Sequence, residues 1–116
     1  MPRIEKLFSY GTLRYASVQR STFGRTLSGA ADALLGYRLT TITIEDAHVL
    51  ALSHETQHPL LHPSDNPLDR VEGMVFDVTP EELAAADSYE VDAYRRVAVT
   101  LESGIEAWAY VSATAS

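Results

Sequence analysis

Apolar residues alternate with polar ones through much of this chain and rarely fall at helical spacing, which predicts a strand-rich fold with few helices. Residues 4–10 (Ile-Glu-Lys-Leu-Phe-Ser-Tyr) end in an apolar run and predict a short buried strand, broken by Gly11-Thr12. Residues 15–23 predict a short helix with sparse apolar positions. Residues 34–44 are rich in β-branched and aromatic side chains, with Tyr37, Leu39, Thr41 and Thr43 on one face, and predict one or two strands. Another strand is expected over 49–52. Residues 54–69 carry Pro59, Pro63 and Pro67, which remove backbone donors and predict a loop. Residues 71–78 predict a strand. Residues 94–101 and 105–111 predict a hairpin that turns at Ser103-Gly104.

One helix start is written clearly. Thr79-Pro80-Glu81-Glu82 supplies a threonine N-cap, proline at the first helical position and glutamate at the third, the pattern of a capping box. Both glutamates also suit the positive end of the helix dipole, so they have a complete structural explanation. The helix is expected to run to about Tyr89, which leaves Glu90 at or just past its C-terminal end.

Length and composition narrow the class. The chain has 116 residues and no cysteine, so one domain spanning 1–116 is expected, without disulfides, thiolate metal sites or a thiol nucleophile. Its 46% hydrophobic and 22% charged residues are ordinary for a globular domain, and no stretch approaches the ~20 apolar residues of a membrane span. The polar N-terminus does not read as a signal peptide, and a cytoplasmic protein is expected. Net charge is −7, which argues against a nucleic-acid partner. Residues 1–40 carry +4 and residues 41–116 carry −11. That asymmetry would suit a small anion at a positive face, but a compact domain that interleaves its segments leaves no such patch, and the second outcome is expected.

Candidate chemistry is sparse. A carboxylate at a helix C-terminus faces the negative end of the dipole, and burial there would raise the Glu90 pKa toward that of a general base. The plainer alternative is a solvent-facing glutamate paired with Arg95 or Arg96. His54, His58 and His62 fall four apart, a helical spacing for zinc, but Pro59 and Pro63 interrupt the segment, so a polar loop and no metal site are expected. No nucleophile elbow, phosphate loop or dinucleotide fingerprint is present.

Several ordered blocks then resemble one family. Leu7-Phe8-Ser9-Tyr10-Gly11-Thr12-Leu13-Arg14 is similar to the opening signature of γ-glutamylcyclotransferase-like (AIG2-like) proteins, an apolar strand ending in Tyr-Gly-Ser/Thr-Leu. Leu35-Gly36-Tyr37-Arg38-Leu39 and Val71-Glu72-Gly73-Met74-Val75-Phe76 resemble the family's Gly-Tyr strand and the glycine-containing strand before its helix. Leu83-Ala84-Ala85-Ala86-Asp87-Ser88-Tyr89-Glu90 followed by Tyr94-Arg95-Arg96 resembles the block Leu-x-x-Leu-Asp-x-x-Glu-Gly and Tyr-x-Arg, and Ala107-Trp108-Ala109-Tyr110-Val111 is similar to the closing strand.

The resemblance implies an α+β fold, a small mixed β-barrel with a few flanking short helices. It implies a cofactor-independent enzyme acting on a small γ-glutamyl amine or peptide. The substrate's own α-amine attacks its γ-carbonyl, releasing 5-oxoproline and a free amine. By residue match Glu90 would be the acid/base, Tyr10, Gly11, Thr12 and Leu13 the substrate loop, and Tyr94 a wall of the cavity. Arg14 and Arg96 are further candidates for substrate contact. The residue types suit the chemistry: the nucleophile belongs to the substrate, one carboxylate can take and return the proton, and a glycine lets backbone approach the ligand. Tyr10 and Tyr94 are equally well read as core rings whose hydroxyls need partners. Two departures stand out. Ala86 replaces the family's second leucine, and Val91 replaces the glycine after the glutamate, where valine resists backbone shapes open to glycine. A non-catalytic domain of the same fold, binding a small ligand or a protein, is the alternative function.

Overall fold

Leu7 and Phe8 are neighbours and both are buried, which in an extended strand places them on opposite faces of a sheet. That sheet must therefore be covered on both sides. In the computed structural model, which describes residues 4–43, 47, 57–90 and 93–113, it is. The strand expected over 49–52 lies outside the described residues, as do His54 and Val91.

The sheet has five strands: β1 (Glu5–Ser9), β2 (Gly29–Leu35), β5 (Arg70–Val78), β6 (Tyr94–Thr100) and β7 (Glu106–Ser112), in the order β2-β5-β1-β7-β6. It is mixed. β1 runs parallel to β7, with Leu7 opposite Trp108, and every other pair is antiparallel. One face is covered by α1 (Ala16–Phe23) and α2 (Pro80–Tyr89), with Leu7, Val18, Phe76, Val78, Leu83, Ala86, Tyr89 and Tyr110 in the layer between. The other face packs Phe8, Tyr10, Leu34, Val71, Val75, Ala109 and Val111 around Leu61. Leu61 belongs to a separate two-stranded sheet, β3 (Tyr37–Thr43) with β4 (Gln57–Pro63), folded over that face. The result is the α+β architecture expected, with short helices flanking mixed strands. Ala86 is fully buried in the helix-side core. No helix among the described residues is long and apolar enough to cross a membrane.

Most predicted elements appear within a residue or two. α2 starts on the capping box: the Thr79 hydroxyl accepts from the Glu82 N–H at 3.1 Å, and the Glu82 carboxylate accepts from the Thr79 N–H at 2.9 Å. Arg25 grips the same carboxylate through two nitrogens at 2.7 and 2.8 Å, and this guanidinium is the first cause that holds Glu82 below its usual range. The early cations are thus interleaved with late acids, Lys6 pairing Asp77 as Arg25 pairs Glu82. The 34–44 region resolves into the two strands β2 and β3, split at Gly36, whose φ of 79° explains the glycine.

The proline-rich segment departs from expectation. Residues 57–63 form a strand, not a loop, paired antiparallel with β3 from Gln57 to Pro63. Backbone groups of successive strand residues point to alternate sides. Pro59, Leu61 and Pro63 share one side, so the two missing N–H groups fall on the side turned away from β3 and cost the β3–β4 ladder nothing. Two tyrosines take up that outward side. Tyr94 donates its hydroxyl to the Pro59 carbonyl at 2.6 Å, and the backbone of Leu61 hydrogen-bonds the Tyr10 phenol.

Candidate active site

β1 ends at the sheet's middle, and the chain there must leave the layer between helices and hairpin. Tyr10 and Gly11 carry it out, and a 3-10 turn follows at Thr12–Arg14, closed by hydrogen bonds from the Arg14 N–H to the Gly11 carbonyl (3.1 Å) and from the Tyr15 N–H to the Thr12 carbonyl (2.9 Å). The N–H groups of Thr12 and Leu13 open the turn and have no partner within it. The Thr12 hydroxyl meets the Tyr89 hydroxyl at 2.7 Å, which ties this loop to the last turn of α2. Glu90 is the next residue. It caps that helix, its N–H donating to the Ala86 carbonyl at 3.1 Å while its own backbone is already extended.

Loop and glutamate face one small cavity of about 20 Å3, walled by Phe8, Ser9, Tyr10, Gly11 and Thr12 from β1 and the loop, by His58 and Pro59 from β4, and by Glu90, Tyr94 and Tyr110. The space holds about one water. Pro59 presses over the loop, since a Cβ built on Gly11 would lie 3.5 Å from its Cγ. Gly11 has φ −129°, so the protein's own backbone does not demand glycine there, and an added methyl would make only ordinary contact.

The electrostatics single out Glu90. Burial first, and the Asp87 charge second, push its carboxyl from 4.5 up to about 8. Among the described residues no hydrogen bond or salt bridge holds the carboxyl. The three cavity phenols move the other way in function: Tyr10, Tyr94 and Tyr110 are each raised above their ordinary range, burial being the largest cause in all three. They remain protonated donors. Tyr10 donates to the Tyr110 carbonyl at 2.6 Å, Tyr94 to Pro59, and Tyr110 to the Asp87 carboxylate at 2.7 Å. Of the carboxyl and phenol groups here, Glu90 alone can exchange a proton near neutrality.

Of the sequence candidates, Tyr10, Gly11, Thr12, Glu90 and Tyr94 line the cavity together. Leu13 is buried in the helix-side core and anchors the loop from behind. The Arg14 Nε donates to the Gly11 carbonyl at 3.1 Å on the exposed side of the loop. Arg96 is not a lining residue; it stands over the Trp108 ring at 4.6 Å, with its Nε 3.3 Å from Asp87. His58 and His62 lie on one strand, where four residues span roughly 13 Å, too far to share an ion. His58 is buried in the cavity wall and His62 meets the Thr40 hydroxyl at 2.8 Å. Among the described residues no cluster of three metal-ligating side chains occurs. Sequence reasoning missed His58, Pro59 and Tyr110 as walls. The one signal available for Tyr110 is the alternation of β7, which sends Tyr110 to the helix side and its neighbours Ala109 and Val111 to the other.

The pattern of the gamma-glutamyl cyclotransferase, AIG2-like family matches residues 7–116. The chain belongs to that family. Solved structures agree on the fold. An Arabidopsis thaliana protein solved in solution matches at TM-score 0.71 and 23% identity, over 97% of this chain and 64% of its own. A second Arabidopsis protein matches at TM-score 0.74 and 22% identity, over 97% of this chain and 71% of its own. A structure described as a gamma-glutamyl cyclotransferase matches at TM-score 0.67 and 17% identity, over 95% of this chain and 67% of its own. The chain thus spans about two-thirds of the length of these relatives. No curated protein matches its sequence. Within this family of gamma-glutamyl cyclotransferase-type enzymes, Tyr10 to Leu13 and Glu90 fall inside the matched region.

Proposed function

We propose that this protein is a γ-glutamyl cyclotransferase that converts a γ-glutamyl amine or peptide into 5-oxoproline and a free amine, in the cytoplasm and without a cofactor. The observation that carries the reading is the largely desolvated Glu90 carboxyl facing the Tyr10–Thr12 loop across a small cavity.

The reaction needs a proton moved and two atoms held together. The substrate's α-ammonium must lose a proton before its nitrogen attacks the γ-carbonyl carbon. At about 8 the Glu90 carboxyl lies far closer to an ammonium group than an ordinary carboxyl does, so taking the proton is much less uphill. A carboxylate at the usual 4.5 would be a far weaker base. The new C–N bond closes the five-membered lactam and the original amide C–N bond breaks; the attacking nitrogen sheds two protons in all, the first through Glu90, and both end on the departing nitrogen, which leaves as an ammonium. Water is not consumed. The unpaired loop N–H groups of Thr12 and Leu13 suit the substrate's carboxylate or the oxygen that gains charge, and the phenols of Tyr10 and Tyr94 give fixed dipoles.

Substrate entry requires movement. Ligand cavities usually measure roughly 300–1,000 Å3. The present space of about 20 Å3 is walled on the hairpin side by Pro59, which the Tyr94 hydroxyl holds through its carbonyl. Displacing β4 opens the site from the hairpin side, and its return expels water before chemistry.

The test is to incubate the pure protein with γ-glutamyl amines and γ-glutamyl dipeptides, quantify 5-oxoproline by mass spectrometry, and run Glu90→Gln in parallel. Product from wild type and at least ~100-fold less from the variant is expected. No product across the panel overturns the enzymatic reading in favour of a binding domain of the same fold.

A further inference from the structure

Asp87 sits three residues before Glu90, one turn back on the same helix, where side chains are neighbours. It is held in place from the sheet below. Arg96 and Tyr110 are directly opposite each other in the β6–β7 register. Both converge on the same oxygen of Asp87: the Tyr110 hydroxyl donates to Oδ1 at 2.7 Å, and the Arg96 Nε stands 3.3 Å from it. Arg96 is in turn seated on the Trp108 ring. Its Nη1 is buried with no acceptor among the described residues, so its grip on Asp87 is one-pronged. None of this network except Tyr110 touches the cavity.

We propose that Asp87, clamped between the Tyr110 hydroxyl and the Arg96 guanidinium, is a positioning residue whose negative charge adds to burial in setting when Glu90 holds its proton, with Arg96 as the opposing weight. The proposal rests on Glu90 being the acid/base of the proposed reaction. The other groups facing Glu90 do not compete for this role. Tyr10, Tyr94 and Tyr110 stay neutral, because burial raises all three phenols. His58 faces it from β4 and Tyr89 precedes it on α2, and neither side chain is a carboxylate. Among the described residues Asp87 is left as the neighbouring anion. Because its carboxylate is partly open to water, its influence is screened and salt-dependent. The clamp keeps that charge at a constant separation, so Glu90 meets a constant field while the helix end stays where the loop needs it.

The arrangement predicts shifts of opposite sign from two substitutions. Asp87→Asn keeps an oxygen for the Tyr110 hydroxyl and removes the negative charge. Arg96→Gln removes the counter-charge and leaves Asp87 unopposed. The readout is the titration of the Glu90 side-chain carboxyl by 13C NMR without substrate, assigned by its loss in Glu90→Gln. At low salt Asp87→Asn is expected to lower the midpoint by about half a pH unit or more, Arg96→Gln to raise it, and Arg96→Lys to restore it. The Asp87→Asn effect is expected to shrink in about 1 M salt. An unmoved midpoint in Asp87→Asn overturns the proposal. So does a downward shift in both variants, which is the mark of a loosened, wetter site. If Asp87→Asn does not fold, the sign of the Arg96→Gln shift decides by itself. Because no turnover is involved, the result stands even if the wild-type protein releases no 5-oxoproline.

Discussion

Glu90→Gln is expected to kill turnover and stabilise the fold, and the second effect is the sharper test of how the site is built. In the native protein the Glu90 carboxyl titrates near 8 against an ordinary 4.5, chiefly because it is desolvated. At about 1.4 kcal/mol per pH unit, charging it in the fold costs up to about 5 kcal/mol more than charging it in the unfolded chain. The sign follows from proton counting. Between about pH 4.5 and 8 the native state keeps a proton that the unfolded state has released, so stability falls as pH rises through that window and levels off above it. Glutamine has the same shape and no charge, so it removes the slope. At pH 5 wild type and variant are expected to unfold at similar urea concentrations. At pH 7 the variant gains about 3 kcal/mol and above pH 8 up to about 5, a large share of the 5–15 kcal/mol that holds a typical domain together. Urea titrations at pH 5, 7 and 9, followed by tryptophan fluorescence or circular dichroism, measure this directly. Parallel stability curves for the two proteins across that range would falsify the desolvated-carboxyl account, whatever the variant does to turnover.

Three further outcomes test the parts around it. Gly11→Ala is expected to melt within a few degrees of wild type, since its Cβ makes ordinary contact with Pro59, yet to raise KM about tenfold if the loop backbone touches substrate; an unchanged KM makes Gly11 a turn residue only. Tyr94→Phe removes the hydroxyl that holds the Pro59 carbonyl, at about 1 kcal/mol, and amide exchange in β4 should accelerate while that of β1 and β5 does not; equal exchange in both proteins would show that the hairpin is held by packing alone. Gly73→Ala drives a Cβ to 2.4 Å from the Ser9 carbonyl oxygen and against the Phe8 ring, so a loss of about 1–3 kcal/mol in urea unfolding is expected; wild-type stability would refute the close approach of β5 to β1.

The candidate site was half legible. Its Glu90 carboxyl was readable because a local signal put it there: Thr79 to Glu82 writes the start of α2, and the helix ends where its length and composition say, on Tyr89 with Glu90 as cap. The loop was readable as Tyr-Gly-Thr-Leu after an apolar run. The lid was not. Three prolines argue for a loop unless the segment is an edge strand whose donors are dispensable, and edge position is a property of the sheet. Asp87 was visible in the helix sequence, but its partners Arg96 and Tyr110 come from two later strands and meet it only through cross-strand register.

Elements whose causes lie within a few residues were written in the chain itself: the capping box, the glycine turn of the 94–111 hairpin, and the strand β5. Each arises from steric or hydrogen-bond preferences that act over one or two turns of backbone. The protonation of Glu90 was beyond that reach. It depends on how much water survives in a space of about 20 Å3, and that space is made by β1, β4, β6 and β7 arriving together from distant parts of the chain. A carboxyl's charge is set by the dielectric and the charges around it, and those exist only once the strands have packed.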